Sequence, residues 1–293
     1  MRKFILGTDW WTDCDDVVAL RLLAREHKKQ KIKLCGVIIN ACMQYSAPSL
    51  EGFLNTENIE VPIGIDLKAT DFGGNPPYQK RLSQYKKRIN HNTDAKDATK
   101  LYREILANEE NPIELIEIGY PQALVSLLES KPDEISCLNG LELVKQKVKK
   151  IWMMAGKWDE IPSLENNFAR NERSRKAAHT LCEICPVPIT FLGWEVGFDV
   201  ITGEKLDKND VLYLAMCDYN SPNGRSSWDP MLCLLAIIGD EEKAGYSTVK
   251  GKASVDGKTG ENYFEKDENG LHKFVVKVKN NSFYANCIND LIK

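Results

Sequence analysis

The sequence contains no hydrophobic run that could cross a membrane. Its longest late apolar stretch, Met231–Ile238, is well short of the roughly 20 residues that a transmembrane helix needs. The opening Met1–Lys3 is basic like the start of a secretory signal, but the apolar run that follows, Phe4–Leu6, is too short for such a signal. We therefore expect a cytoplasmic protein without a membrane partner.

The chain also has no excess of positive charge. Lysine and arginine total 39 against 42 aspartate and glutamate residues, which leaves a net charge of -3. Proteins that bind a nucleic acid backbone usually carry a basic surface, because the phosphates must be neutralised. Nucleic acid is therefore not an expected partner, and a small molecule is the expected ligand.

The cysteines lack the arrangement of a disulfide framework. There are nine, an odd number, and they are scattered through periodic segments. Cys182 and Cys185 match a Cys-x-x-Cys pair, but no second pair completes a zinc site. This pair also ends a predicted helix, whereas a thioredoxin-like pair begins one. We expect the cysteines to be reduced residues of the core.

Short apolar strands alternate with helical patterns along most of the chain. This alternation predicts an α/β fold with a mostly parallel open sheet and helices on both faces. A length of 293 residues with 43% hydrophobic content suffices for one large core, so we expect a single domain over residues 1–293. The predicted strands are Phe4–Leu6, Leu34–Ile39, Pro62–Ile65, Ile113–Ile118, Ile151–Met154 and Ile189–Leu192. The predicted helices are Asp16–His27, one beginning near Ala47, Ala98–Ala107, Gln122–Glu129, Glu172–Ile184 and Pro230–Ile238.

The pattern changes towards the end of the chain. Residues 247–278 alternate between polar and apolar side chains, which predicts an antiparallel hairpin region before a final helix near Asn281–Ile292. Two connections, Leu67–Asn90 and Asp218–Ser227, are long and rich in turn-forming residues. Loops of that length in a compact domain are usually functional.

Four carboxylates fall within a short segment where the first strand ends and the first helix begins. They are Asp9, Asp13, Asp15 and Asp16. One or two acids could simply cap the helix, but four together repel one another unless a positive charge lies among them. Hard cations are held by clustered oxygen ligands of this kind, and ligand sites of open α/β sheets lie at the carboxyl ends of strands. The segment therefore predicts a metal site.

Other metal sites do not fit this segment. An EF-hand that began at Asp13 would need an acid, a glycine and a glutamate where the chain has Val17, Val18 and Ala24. Phosphatases of the haloacid dehalogenase type use an Asp-x-Asp pair after the first strand, and Trp11 occupies the second position here. No histidine or cysteine cluster accompanies the acids, so a soft metal is disfavoured.

These motifs, in their order along the chain, resemble the inosine-uridine preferring nucleoside hydrolase family. The resemblance covers essentially the whole chain and points to a branch with a Thr-Asp-Trp-Trp-Thr-Asp-x-Asp-Asp turn. Each motif is short, and their order and spacing carry the resemblance. The matching segments are Thr8–Leu20, Leu115–Pro121, Trp152–Gly156, Glu165–Asn167 and Trp228–Pro230.

The resemblance implies hydrolysis of the N-glycosidic bond of a ribonucleoside, with calcium as cofactor. Asp9 fits the acid that binds calcium and takes a proton from water. The other implied calcium ligands are Asp16, the backbone carbonyl of Ile118, and Asp229. A homodimer or homotetramer is also implied. The residues implied to bind the ribose are Asn40, Asp13 or Asp15, Glu165 and Asn167.

The chain departs from the family pattern at several places. Trp10 and Trp11 stand near the usual Pro-Gly of the turn, and two extra residues precede Asp15 and Asp16. Gly7 replaces the first acid of the turn, and Trp228 stands where many members place a histidine that protonates the departing base. An indole cannot act as an acid in the physiological range, but it can stack on a purine ring. We therefore expect a purine nucleoside. His91 is the only histidine beside a long loop, so it is the candidate replacement acid.

Two other functions are compatible with these motifs. The chain could bind a ribosyl ligand without turnover, since the expected histidine is missing. It could also hydrolyse another ribosyl conjugate, such as a nicotinamide or a modified nucleoside. Release of free base and ribose would distinguish hydrolysis from binding alone.

Overall fold

A central β-sheet organises the computed structural model, which describes residues 1–11, 13–74 and 76–293. Thr12 in the acid-rich turn and Asn75 in the first long loop lie outside the described residues. The strands are β1 (Arg2–Thr8), β2 (Ile32–Ile39), β3 (Ile63–Ile65), β4 (Lys96–Asp97), β5 (Ile113–Glu117), β6 (Val148–Met154), β7 (Ser163–Leu164), β8 (Ile189–Leu192), β9 (Ile201–Thr202), β10 (Arg225–Ser226), β11 (Tyr246–Val255), β12 (Glu261–Lys266) and β13 (His272–Lys277).

Helices occupy most of the connections between these strands. Two short 3-10 helices, Ser83–Tyr85 and Asn92–Asp94, lie between the third and fourth α-helices. The α-helices are α1 (Asp15–Lys28), α2 (Ser46–Thr56), α3 (Pro77–Leu82), α4 (Ala98–Asn108), α5 (Gln122–Leu128), α6 (Gly140–Lys147), α7 (Asn166–Ala169), α8 (Glu172–Ile184), α9 (Trp194–Gly197), α10 (Val211–Asp218), α11 (Trp228–Ile238) and α12 (Asn281–Ile292).

The strand order places β1 at the point where the chain reverses its direction of winding. In the described part of the chain, 11 strands form one sheet in the order β4-β3-β2-β1-β5-β6-β8-β13-β11-β12-β7. All pairings from β4 to β13 along this order are parallel. From β1 the chain builds outward to β2 on one side and later returns to β5 on the other. The carboxyl ends of strands flanking such a switch point form a crevice that commonly binds ligands.

The central strands are mostly apolar, in keeping with a sheet that is covered on both faces. Phe4 and Leu6 of β1 point into one buried cluster with α1 and α11, while Ile5 points into the cluster on the other face. Side chains alternate across a strand, so a strand buried on both sides needs apolar residues at successive positions. This requirement explains why the central strands could be located in the sequence.

The prediction of a mostly parallel open sheet with helices and an antiparallel C-terminal region is confirmed. The C-terminal region contains three strands instead of one hairpin. They extend the main sheet, because β13 pairs with β8 in parallel and β11 pairs with β13 and β12 in antiparallel fashion. Among the described residues, no helix has the length and apolar character required to cross a membrane.

Gly119 allows the turn after β5 to pack against the end of β1. A Cβ atom at this position would lie 2.3 Å from the backbone nitrogen of Asp9 and 2.6 Å from Oδ1 of Asn40. Real Cβ atoms do not approach backbone this closely, so the ends of β1 and β5 could not keep their spacing. The carboxyl ends of these two strands therefore depend on a glycine at residue 119.

We predict that Gly119→Ala lowers the free energy of unfolding by about 1–3 kcal/mol, the usual cost of overpacking a buried position. Chemical denaturation measures the change. Gly257→Ala is the matched control, because a Cβ there would meet its nearest atom, Cβ of His179, at an ordinary 3.4 Å. Equal stability of the two variants would contradict this account of the turn.

Candidate functional site

A cavity of about 290 Å³ opens at the carboxyl ends of the central strands. Its floor follows β1, β5 and β6, since Asp9, Ile118 and Met154 all line it. This is the crevice that the switch point at β1 predicts. The predicted site residues that line it are Asp9, Asp13, Asp15, Asp16, Ile118, Glu165, Asn167, Trp228 and Asp229.

Three carboxylates form the most compact acidic group among the described residues. Asp15, Asp16 and Asp229 each offer an oxygen within 4.8 Å of the other two. Their side chains are almost fully buried, at 3%, 3% and 5% exposure. Asp15 and Asp16 lie in the first turn of α1 and Asp229 in the first turn of α11, and these two helices pack together. The positive ends of two helix dipoles therefore meet at the acids.

Hydrogen bonds hold these carboxylates in place. Asp16 accepts hydrogen bonds from the Thr8 hydroxyl and from the backbone N–H of Trp10 at 3.2 Å. Asp15 accepts one from the backbone N–H of Asp229, also at 3.2 Å. Asp9 accepts one from the backbone N–H of Trp11 at 2.9 Å through one of its two oxygens.

Burial raises the pKa of the clustered carboxyls well above the ordinary range, and mutual repulsion adds to the effect. Desolvation is the largest cause of the raised pKa for Asp9, Asp15, Asp16 and Asp229, and the charges of neighbouring acids raise it further. The hydrogen bonds that Asp9, Asp15 and Asp16 accept lower the pKa and offset only part of this rise. A bound cation would remove both penalties. The donor set consists of carboxylate oxygens with the nearby Ile118 backbone, which fits a hard divalent cation such as calcium.

Asp13 and Asp15 occupy different surroundings in the cavity. Asp13 forms a bidentate ion pair with Arg225, with contacts of 2.6 Å to Nη2 and 3.0 Å to Nε. Asp15 instead belongs to the compact acidic group. The Arg225 guanidinium therefore balances the charge of Asp13, while no arginine or lysine pairs with Asp15 among the described residues.

Glu165 and Asn167 are anchored to the end of β6. The Glu165 carboxylate caps α7 by accepting hydrogen bonds from the backbone N–H groups of Asn167, at 3.0 Å, and Gly156, at 2.9 Å. Burial raises its pKa to about 7. The Asn167 amide donates to the carbonyl of Met154 at 2.9 Å and lies 3.5 Å from the carbonyl of Ile118. Both side chains are therefore held rigidly on the cavity wall.

Asn40 is not among the residues that line the cavity. Its amide donates to Glu117 at 2.8 Å and accepts from the backbone N–H of Tyr120 at 3.0 Å, so it braces the turn after β5. Glu117 lies beside Gly7 in the register of β1 and β5. A Cβ on Gly7 would lie 2.2 Å from a Glu117 carboxylate oxygen. Glu117 thus fills the space above Gly7, and burial raises its pKa to about 8.

Aromatic side chains form two parts of the cavity wall. Trp228 is half-buried, and its indole N–H donates to the carbonyl of Trp194 at 2.6 Å. The two indole rings lie 6.3 Å apart and 30° from parallel. Trp11 and Tyr120 line another part, with ring centroids 6.4 Å apart. Sequence reasoning identified only Trp228 of these four.

Two arginines complete the wall, and the sequence analysis missed both. Arg225 lies near the end of the second long loop, and its guanidinium lies 5.6 Å from the Trp228 ring. Arg170 lies one helical turn after Asn166, and its guanidinium lies 4.7 Å from the Trp11 ring. The only available signal was their position beside segments that were already singled out, because neither forms part of a family motif.

No histidine lines the described part of the cavity. His91 is exposed and caps a short 3-10 helix, where its backbone N–H donates to Asp94 at 2.9 Å. The expectation that His91 replaces the missing acid therefore has no support in its position. An acid for the departing base would have to come from another group or from solvent.

Comparison with protein families found no matching family model, and comparison with curated proteins found no match. Several solved structures are similar over the full length of the chain. An inosine-uridine preferring nucleoside hydrolase from Bacillus anthracis has a TM-score of 0.69 and 17% identity, covering 100% of this chain and 99% of its own.

Two effector proteins have comparable similarity. The effector protein XOO4466 has a TM-score of 0.68 with 13% identity, and the type III effector protein XopQ, solved with adenosine diphosphate ribose, has 0.65 with 15%. Each comparison covers 100% of this chain and 93% of the other. At such identities the similarity establishes the architecture alone: the chain has the nucleoside hydrolase fold.

Proposed function

We propose that the protein is an N-ribosyl hydrolase that cleaves the bond between ribose and a nucleobase with the help of calcium. The observation that carries the proposal is the buried acidic group at the carboxyl end of β1. It lies in a cavity that also contains a carboxylate, an amide and an aromatic wall, in a chain with the nucleoside hydrolase fold. Sugar hydroxyls and a planar base require this combination of groups.

The residues that would hold calcium are Asp9, Asp16, Asp229 and the backbone carbonyl of Ile118. The closeness of Asp15 to Asp16 and Asp229 supports a role for its carboxylate at the same centre. When bound, the cation would polarise water and ribose hydroxyls that contact it. Calcium suits a site with several carboxylates better than magnesium, because it accepts more ligands in less regular geometry.

Asp9 is the proposed base. One of its oxygens is held by the Trp11 N–H, and the other is not needed for that hydrogen bond, so it can accept a proton from water. The hydroxyl of that water adds to C1′, the C1′–N bond breaks, and the departing base takes up a proton from solvent. Asp15 is the better candidate for a ribose hydroxyl, since Asp13 is paired with Arg225.

Glu165 and Asn167 would orient the sugar from the β6 side of the cavity. Their hydrogen bonds to backbone groups fix them before the ligand binds, which reduces the entropy lost on binding. A ribosyl ring that passes through an oxocarbenium-like transition state changes shape, and rigid partners can favour the changed shape.

A purine is the proposed leaving base. Trp228 has an exposed portion in the cavity, and stacking on an indole is stronger for a two-ring base than for a pyrimidine. The absence of a histidine from the described wall supports leaving-group activation by stacking. As the C1′–N bond breaks, negative charge develops on the purine, and contact with an aromatic face makes N7 more basic still, so that it can take a proton from solvent.

A second candidate function is binding or cleavage of another ribosyl conjugate. Two observations favour it: no histidine lines the described cavity, and the similar effector protein XopQ was solved with adenosine diphosphate ribose. A ligand of that class contains the same ribosyl bond. It would use the same acidic group and the same aromatic wall.

We predict about one calcium per chain in the purified protein. Elemental analysis by mass spectrometry measures it. Asp229→Ala should lose the metal, because a central carboxylate of the acidic group is removed. Asp199→Asn, which changes an exposed carboxylate outside the cavity, should retain it. Finding zinc alone, or calcium retained by both variants, would argue against the site.

We predict that Asp9→Asn slows base release by about 10²- to 10⁴-fold, the usual contribution of a positioned base. The asparagine amide oxygen can still accept the Trp11 N–H, so the fold should persist, and circular dichroism verifies this. Calcium content is measured on the same sample to separate proton transfer from metal loss. If turnover stays near normal, Asp9 is not the base, and Asp13 or Asp15 takes the proton instead.

The test of the whole proposal is a nucleoside panel with chromatographic detection of free base, with calcium and with a chelator. Inosine, adenosine and guanosine should be cleaved well, and uridine and cytidine poorly. Trp228→Ala should lower turnover of purines by about 10- to 100-fold, as expected from loss of base stacking, and Trp228→Phe should retain most of it. Equal cleavage of uridine and inosine by the unaltered protein would rule out selection by stacking.

A further inference from the structure

Arg170 places an unneutralised positive charge on the cavity wall. The other cavity arginine, Arg225, is paired with Asp13 at 2.6 Å. Arg170 is exposed, and within the described residues no carboxylate lies within ion-pair distance of it. Its one hydrogen bond joins Nη2 to the backbone carbonyl of Phe72 at 3.4 Å. The guanidinium can therefore bind an incoming anion without first breaking an ion pair.

The position of this guanidinium is set by aromatic packing. It lies 4.7 Å from the Trp11 ring, a distance at which a cation is attracted to the π system. Trp11 is itself fixed, because its indole N–H donates to the carbonyl of Gly73 at 3.1 Å and its ring packs against Phe72. A planar guanidinium held in this way loses less freedom when it binds an anion.

Two neutral hydrogen-bond donors lie near Arg170 on the same wall. Asn166 precedes it by one helical turn, so the two side chains share one face of α7. The Asn166 amide donates to the Tyr120 hydroxyl at 3.2 Å, and both residues line the cavity. The phenol is the acceptor in this bond, so its own hydrogen is available to a ligand. The second amide hydrogen makes a long contact of 3.5 Å with Oδ1 of Asn167, which a phosphate oxygen can replace. A guanidinium, an amide and a phenol together suit phosphate oxygens.

The position of α7 in the cavity indicates which part of the ligand would contact these donors. Glu165 and Asn167, the residues proposed for ribose, lie at the start of this helix, about 5–8 Å along its axis from Arg170. Trp228, proposed to stack on the base, belongs to α11, and Trp194, whose ring lies beside it, belongs to α9. With C1′ bonded to the base and the ring hydroxyls at the acidic group, the remaining substituent of ribose is the one on C5′.

We propose that the substrate is a ribosyl compound with a phosphate on C5′, and that Arg170, with Asn166 and Tyr120, binds this phosphate. The proposal rests on the N-ribosyl hydrolase activity proposed above and specifies its substrate class. Water adds across the C1′–N bond, so the products are the free base and a 5′-phosphorylated ribose. The phosphate ester itself is not broken. Nucleoside 5′-monophosphates and diphosphate-linked ribosides both have this chemistry.

The test compares base release from inosine, inosine 5′-monophosphate and adenosine diphosphate ribose in the presence of calcium. We predict at least a tenfold higher kcat/KM for a phosphorylated substrate than for inosine, about the effect of one charge-assisted hydrogen bond. Preference for the monophosphate indicates a monoester, and preference for the diphosphate indicates a diphosphate-linked riboside. The preference is the kcat/KM of the phosphorylated substrate divided by that of inosine. Arg170→Ala should lower this ratio by about 10- to 100-fold.

Two variants control for other effects of the substitution. Arg170→Lys retains the positive charge but lacks the planar guanidinium. It should restore part of the preference for the phosphorylated substrate. Lys176→Ala removes one positive charge six residues away, where the side chain is 68% exposed and paired with Glu172. It should leave the ratio unchanged. If it lowers the ratio as much as Arg170→Ala does, the effect is general electrostatics, and the proposed site is wrong.

Calorimetric binding of ribose 5-phosphate and ribose separates this proposal from the proposed hydrolysis. Tighter binding of ribose 5-phosphate that depends on Arg170, without base release from any substrate, would retain the phosphate site and reject hydrolysis. Equal cleavage of inosine and its monophosphate, with equal effects of Arg170→Ala on both, would retain hydrolysis and reject the phosphate site. Equal or undetectable binding of the two sugars together with no base release would reject both.

Discussion

The mutual repulsion of buried carboxylates is the constraint around which the cavity is built. Asp15, Asp16 and Asp229 lie close together in a nearly water-free environment, and Asp9 borders them. The chain supplies only partial compensation through backbone N–H groups and the first turns of α1 and α11. Neutral hydrogen bonds and helix dipoles are weak beside a full charge. A bound cation would supply the missing positive charge, and its binding would then stabilise the folded chain.

The remaining walls divide according to the elements that carry them. The β6 and α7 side presents Glu165, Asn167 and Arg170, which are polar and suited to a sugar and its substituent. The α9 and α11 side presents Trp194 and Trp228, which are flat and suited to a base. Because the acidic group lies at the end of β1, between β2 and β5, the bond to be cleaved would lie near the centre of the sheet. In the proposed reaction, different elements would therefore bind the sugar and the base, and the bond between them would lie at the acidic group.

The strands and long helices could be predicted because their patterns are local. The predicted bounds of the helix Glu172–Ile184 and the strand Ile189–Leu192 agree with the structure, and both have a regular apolar period. Helices such as α7 and α9 are too short for a period to appear, so they were missed. The joining of β13 to β8 was not predicted either, since it depends on contacts between segments that are far apart in sequence.

At the site, too, local features could be predicted from the sequence and long-range contacts could not. The acidic turn was identified from its position after the first strand, and the other site residues from the resemblance to nucleoside hydrolases. Nine of the ten predicted site residues line the cavity, with Asn40 excepted. The partners that decide their roles were not found, because they are remote in sequence. Arg225 is 212 residues from Asp13, and no local pattern relates the two. Only the folded chain therefore distinguishes Asp13 from Asp15.

The contact of Gly7 with Glu117 makes two neighbouring strands share one side-chain volume. The acid that the related pattern places on β1 is absent, and an acid from the facing residue of β5 occupies the space above it. The Glu117 carboxylate accepts a hydrogen bond from Asn40 and stands where a side chain on residue 7 would lie, so side chains at both positions would overlap. Residues 7 and 117 therefore share one volume, and the glycine at residue 7 leaves the room that Glu117 needs to brace Asn40.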